Sequence, residues 1–95
     1  MRADPDPPCP DPLRLDTHYR VAALADAHVV LRLLNVLAQR DLMADAIAMH
    51  RDGEMLTLDL HVAALPPEVA RIMAEKMRML VQVVAVDWQA EPART

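Results

Sequence analysis

Apolar residues fall on every second position of Leu56-Thr57-Leu58-Asp59-Leu60-His61-Val62, so four of them face one way while Thr57, Asp59 and His61 face the other. This alternation predicts a strand with one core face and one face that is wet or meets a partner. Upstream, Leu42 to His50 is a second apolar run, and Asp52-Gly53 between the two supplies residues that accept a left-handed backbone. The pair predicts a β-hairpin. Burying the four apolar side chains contributes roughly 1.5–3 kcal/mol each before chain entropy is subtracted, enough to hold one register.

The remaining elements must cover that apolar face. His18 to Ala25 is predicted as a first strand, with Tyr19, Val21, Ala23 and Ala25 on one side and His18, Arg20 and Ala22 on the other. Asp26 then stands where a helix N-cap is wanted. Val29 to Arg40 follows at helical spacing, with Val30, Leu33, Leu34 and Leu37 as the main stripe, Val29 and Val36 widening it, and a basic last turn. Pro66-Pro67 closes the third strand and opens a second helix, whose inner stripe is Val69, Ile72, Met73, Met77 and Leu80. Val81 to Trp88 is the predicted fourth strand. The order strand, helix, strand, strand, helix, strand implies two interleaved right-handed crossover units. They form a ferredoxin-like α+β sandwich: a four-stranded antiparallel sheet of order 4-1-3-2, with both helices on one face.

Composition narrows the functional classes. With 95 residues there is room for one small domain, expected at residues 16–89, between an arm at 1–15 and a short tail at 90–95. Five of the eight prolines lie between Pro5 and Pro12, interleaved with Asp4, Asp6 and Asp11, so the arm has little to bury and is expected to be disordered. It lacks the apolar core of a signal peptide, and no segment approaches the ~20 apolar residues of a membrane span, so a soluble cytoplasmic protein is expected. The single cysteine, Cys9, excludes an internal disulfide framework and a multi-cysteine zinc site. A proline-rich arm also holds neither the base nor the substrate that a catalytic thiol needs. Formal charge is −4, and Tyr19 and Trp88 are the only aromatics among Phe, Trp and Tyr, so nucleic-acid binding lacks both its electrostatic and its stacking component.

The fold alone does not choose a function, because the ferredoxin-like sandwich carries many. A soft-metal carrier needs paired thiolates in the first loop, which here reads Asp26-Ala27-His28. An RNA-recognition module needs exposed aromatics where the third strand offers Thr57, Asp59 and His61. His18 and His61 are expected side by side on the open sheet face, near Asp59 and Arg20. No ligand spacing supports a metal there, and a solvated Arg20–Asp59 cross-strand pair is the plainer expectation. No cofactor, no metal and no catalytic residue is predicted. The open face with Arg20, Thr57, Asp59 and His61 is the candidate docking surface for a partner. In the second strand, Met43, Ile47 and Met49 share one face with Asp45, and Leu42, Ala44, Ala46 and Ala48 share the other. An apolar edge strand without proline is an association liability, so a second copy is expected to pair edge to edge through Met43, Asp45, Ile47 and Met49. The competing arrangement packs the bulky residues under the first helix and leaves the alanines in water.

The run Val30-Leu31-Arg32-Leu33-Leu34-Asn35-Val36-Leu37-Ala38-Gln39-Arg40-Asp41-Leu42 resembles the first helix and second-strand entry of ACT domains. Lys76-Met77-Arg78-Met79-Leu80-Val81-Gln82-Val83 resembles the end of their second helix. The likeness covers about His18 to Trp88 and is nearest to the short small (regulatory) subunits of acetolactate synthase, a thiamine-diphosphate enzyme of branched-chain amino-acid biosynthesis. It implies a non-catalytic regulatory or accessory subunit that dimerises through the first helix and second strand and binds a larger catalytic enzyme. It also implies an effector site for a small amino acid, formed by Asp26, Ala27, His28 and Val29 of one copy with Asp41, Leu42 and Met43 of the other. Two features depart from the family pattern: the first loop has no glycine, and Asp41 stands where a glycine is usual. A stand-alone amino-acid-binding ACT dimer is the alternative implied function; a small dimeric ferredoxin-like enzyme using the histidines is the third.

Overall fold

The computed structural model describes residues 14–93, so positions 1–13 of the expected arm, with Cys9, lie outside the described residues. The described chain runs β1 (Leu15–Leu24), α1 (Ala27–Ala38), β2 (Ala46–Asp52), β3 (Met55–Leu65), α2 (Pro67–Arg78) and β4 (Val83–Pro92). All strand pairs are antiparallel, in the order β2-β3-β1-β4. This is the ferredoxin-like βαββαβ sandwich, with the expected strand order.

Alternation in β1 and β3 sets the core. Tyr19, Val21 and Ala23 lie opposite Leu60, Leu58 and Leu56, and all six are buried. The helices close over them with Val29, Leu33, Val36 and Leu37 from α1 and Ala70, Met73, Ala74 and Met77 from α2. Both inner stripes are rotated from those expected. Val30 and Leu34 are only half-buried flanks of α1, and α2 turns Ala70 and Ala74 inward, with Val69, Ile72 and Leu80 at its margin. The small alanines let α2 approach β1 closely enough for the buried Tyr19 hydroxyl to donate to the Ala70 carbonyl at 2.6 Å. Burial pushes the Tyr19 phenol pKa up, so it stays a neutral donor.

Several element ends differ from the sequence expectation. α1 begins at Ala27 and stops at Ala38, which puts Arg40 beyond its last turn. β1 starts at Leu15, and β4 continues past Trp88 to Pro92, because Leu15–His18 pair with Gln89–Pro92. A stretch polar enough to read as a tail is thus held by backbone hydrogen bonds to a neighbouring strand. Val81 and Gln82 instead form the turn before β4.

The second apolar run is the largest departure, since only Ala46 onward is strand. Asp41 adopts a left-handed backbone at φ 57°. The amide of Asp41 donates to the Ala38 carbonyl (3.0 Å) and that of Leu42 to the Leu37 carbonyl (2.9 Å), the two bonds of a Schellman motif. Leu42 to Ala44 therefore serves the helix C-terminus first, and the chain reaches the sheet when the Asp45 amide donates to the His61 carbonyl at 2.7 Å. The hairpin is closed by Gly53-Glu54, with Gly53 at φ 64°, a conformation that glycine adopts without steric cost.

Candidate functional site

Two surfaces hold the residues singled out from the sequence. The first is the sheet face away from the helices. Register places Arg20 opposite Asp59, His18 opposite His61 and Ala22 opposite Thr57, so Arg20, Thr57, Asp59 and His61 share one face. The Asp59 carboxylate accepts from Arg20 Nε at 3.0 Å and lies 2.7 Å from His18 Nε2 through the same oxygen. Burial would raise the Asp59 pKa, but the hydrogen bonds from Arg20 and His18 outweigh it and hold the carboxyl below its ordinary value. The His18 and His61 rings stack with centroids 4.3 Å apart and planes 2° from parallel. The sequence placed these side chains together; the His18–Asp59 contact is diagonal across the register and was not read from it.

Beside the histidines lies a hollow of about 530 Å³, bordered by Asp16, Asp45 and Glu91 as well as by His18 and His61. Two of these carboxylates also shape the backbone. Asp16 accepts from the Ala64 amide at 2.9 Å and Asp45 from the Ala63 amide at 2.8 Å. Those two amides belong to an irregularity where β3 carries one additional residue against β1 and Ala64 takes φ 57°. Asp45 is thus partly occupied in anchoring the end of β3. Among the described residues, no three His, Cys, Asp or Glu side chains converge on a point as metal ligands.

The second surface is the β2 edge with the adjoining flank of α1. Ile47 and Met49 lie opposite Leu60 and Leu58, on the helix-bearing side of the sheet, yet 48% and 59% of their surface is exposed. As in the competing arrangement, the bulky residues face the helices and the alanines face outward, but α1 does not cover Ile47 and Met49. Ala46, Ala48 and His50 share the open face instead. Met43, 79% exposed, precedes the strand, so it does not continue a strand face with Ile47 and Met49. Leu42 and Ala44 turn inward against the core.

The expected effector residues divide between the two ends of α1. Asp26 caps the N-terminus: its Oδ1 accepts from the His28 amide at 2.8 Å, and its Oδ2 accepts from Gln82 Nε2 at 3.2 Å. The backbone bond from His28 is the main cause holding the Asp26 pKa below its usual value. Ala27 and Val29 lie in the first turn. Asp41, Leu42 and Met43 follow the C-terminus, and a 12-residue helix is about 18 Å long at ~1.5 Å per residue. One chain therefore does not bring the two groups together. Gln82 was missed as a neighbour of the loop because the last turn before β4 reaches it only through the tertiary fold; its Oε1 is buried without a hydrogen-bond partner among the described residues.

This arrangement is that of a ferredoxin-like α+β module with two edge strands, β2 and β4, and one sheet face open. Residues 12–95 match the ACT-like domain family, and the chain belongs to that family. No curated protein sequence matches it significantly. Among solved structures it is similar to the ACT domain of a GTP pyrophosphokinase from Chlorobium tepidum, with TM-score 0.69 and 14% identity over 81% of this chain and 99% of that one. It is also similar to the C-terminal domain of the MgtC protein from Mycobacterium tuberculosis, with TM-score 0.66, 18% identity and coverage of 87% and 93%. A homoserine dehydrogenase from Thiobacillus denitrificans gives TM-score 0.72 and 17% identity; 84% of this chain covers 18% of that one. At these identities the likeness is one of fold. Among the described residues, no helix is long and apolar enough to cross a membrane.

Proposed function

We propose that this ACT-like chain is a non-catalytic regulatory or accessory subunit that dimerises through β2 and α1 and binds a larger catalytic enzyme. The observation that carries the reading is the bare apolar edge: Leu31, Ile47 and Met49 are 65%, 48% and 59% exposed beside a strand with only one neighbour. An edge of that kind favours pairing with a second chain. A two-fold pairing that sets α1 antiparallel to its copy would also bring Asp41–Met43 of one chain to Asp26–Val29 of the other. The open sheet face with Arg20, Thr57, Asp59 and His61 remains for the larger partner.

The partner suggested by the resemblance at residues 30–42 and 76–83 is the large subunit of acetolactate synthase. Asp26 favours this reading over a stand-alone amino-acid sensor. Its carboxylate already occupies the α1 amide that a ligand carboxylate would use, and would repel one nearby. Sedimentation of the chain should show a dimer, and Ile47→Lys with Met49→Glu should convert it to a folded monomer. A monomeric wild-type chain at 100 μM would remove the dimer reading. Affinity purification from the native host, with mass spectrometry, should recover a thiamine-diphosphate enzyme subunit in stoichiometric amount. A bare dimer whose melting temperature rises with added branched-chain amino acid would favour the sensor instead.

A further inference from the structure

We propose that the stacked His18–His61 pair on the open sheet face binds a divalent transition-metal ion through its two imidazoles. Imidazole nitrogen is the common protein ligand for zinc, nickel and copper, and two imidazoles on directly opposed residues of neighbouring strands are tethered at close range. Asp59 supplies what ligating histidines usually have behind them. Its carboxylate, 2.7 Å from His18 Nε2, favours the proton on that nitrogen and leaves Nδ1 with the lone pair. The same contact fixes the ring's orientation.

The surroundings favour a cation. The hollow next to the rings is bordered by the carboxylates of Asp16, Asp45 and Glu91, and no lysine or arginine is among the described residues lining it. Asp16 and Asp45 each engage only one oxygen in these backbone bonds, and both residues line the hollow. Parallel rings 4.3 Å apart do not aim their lone pairs at one point. Rotation of the more exposed His61 ring, which among the described residues has no hydrogen-bonded neighbour comparable to Asp59, is needed to bring both nitrogens to the roughly 2.0–2.1 Å expected for a zinc–imidazole bond. Since no third side chain converges on that point, water completes the coordination shell. A site of this composition prefers borderline ions with nitrogen affinity to hard, oxygen-seeking magnesium.

The test is calorimetric titration of the chain carrying Cys9→Ser with zinc chloride, nickel chloride and magnesium chloride. One zinc or nickel ion per chain is expected, with magnesium at least tenfold weaker. His61→Ala should weaken zinc binding more than tenfold, Asp59→Asn by about tenfold through loss of the orienting carboxylate, and His50→Ala should leave it unchanged. Circular dichroism and melting of each variant without metal distinguish loss of the site from loss of the fold. Zinc binding that survives His61→Ala, equal binding of magnesium, or no binding at all would overturn the proposal. The regulatory-subunit reading stands or falls separately on oligomeric state and co-purification.

Discussion

β2 and β3 are the two arms of one hairpin, both rich in apolar residues, and they have opposite fates. In β3 the alternate residues Leu56, Leu58, Leu60 and Val62 are all buried, whereas all seven residues of β2 are exposed. β3 is flanked by β1 and β2 and covered by helices on one face; β2 has a single neighbour, and α1 leaves its Ile47 and Met49 bare. Hydropathy alone does not distinguish a core strand from an edge strand left bare within one chain. Position in the sheet does, because burial depends on what lies above a side chain as well as on what the side chain is.

Core and edge substitutions should separate the two most clearly. Leu58→Ala in β3 should destabilise the fold by about 2–5 kcal/mol, read by denaturant unfolding, since it removes a fully buried side chain and leaves a cavity. Met49→Ala, directly opposite it in register, should cost less than about 0.5 kcal/mol when measured at concentrations where the chain is monomeric. Equal losses would mean that β2 is covered within one chain.

The packing of α2 on β1 offers a second, smaller contrast. Tyr19→Phe keeps the ring and removes the donor to the Ala70 carbonyl, and should cost about 1 kcal/mol in thermal or denaturant unfolding.

The open face provides a pH test. The Asp59 pKa in the folded chain lies below its ordinary value of 3.8, so the stabilisation from Arg20 and His18 is present above that value and is lost as pH falls through the folded pKa. Wild type should exceed Asp59→Asn in stability at neutral pH, and the gap should narrow as acid unfolding is followed below about pH 4. A constant gap would assign Asp59 a purely steric role.

The smallest effect is expected at the entry to β2. Asp41→Gly relieves a left-handed Cβ and should stabilise by at most about 1 kcal/mol, part of that gain being offset by the greater entropy of glycine in the unfolded chain. A clear loss in melting temperature would show that the Asp41 carboxylate contributes more than the backbone strain costs.

Much of the site was legible because it depends on short-range rules. Period-two alternation placed Thr57, Asp59 and His61 on one face, and antiparallel pairing of the first and third strands brought Arg20 and His18 to them. Asp26 was readable as a cap because capping is settled within three residues. The left-handed backbone at Asp41 explains physically why glycine is usual there. The bonds of Asp16 and Asp45 to the Ala63-Ala64 bulge, and Gln82 beside Asp26, were not readable, since each joins segments far apart in the chain.

By itself the sequence determined the element order, the hairpin, the faces of β1 and β3 and therefore the ferredoxin-like sandwich, because alternation and helical spacing express which side of an element avoids water. The tertiary structure alone decided how far α1 and α2 rotate, where β2 begins and which apolar strand stays bare. Those outcomes depend on how closely Ala70 and Ala74 let one helix approach, on a Schellman turn that takes Leu42 out of the sheet, and on the area two helices can cover. No local pattern contains that information, because a residue's neighbours across a packed layer are chosen by the whole chain.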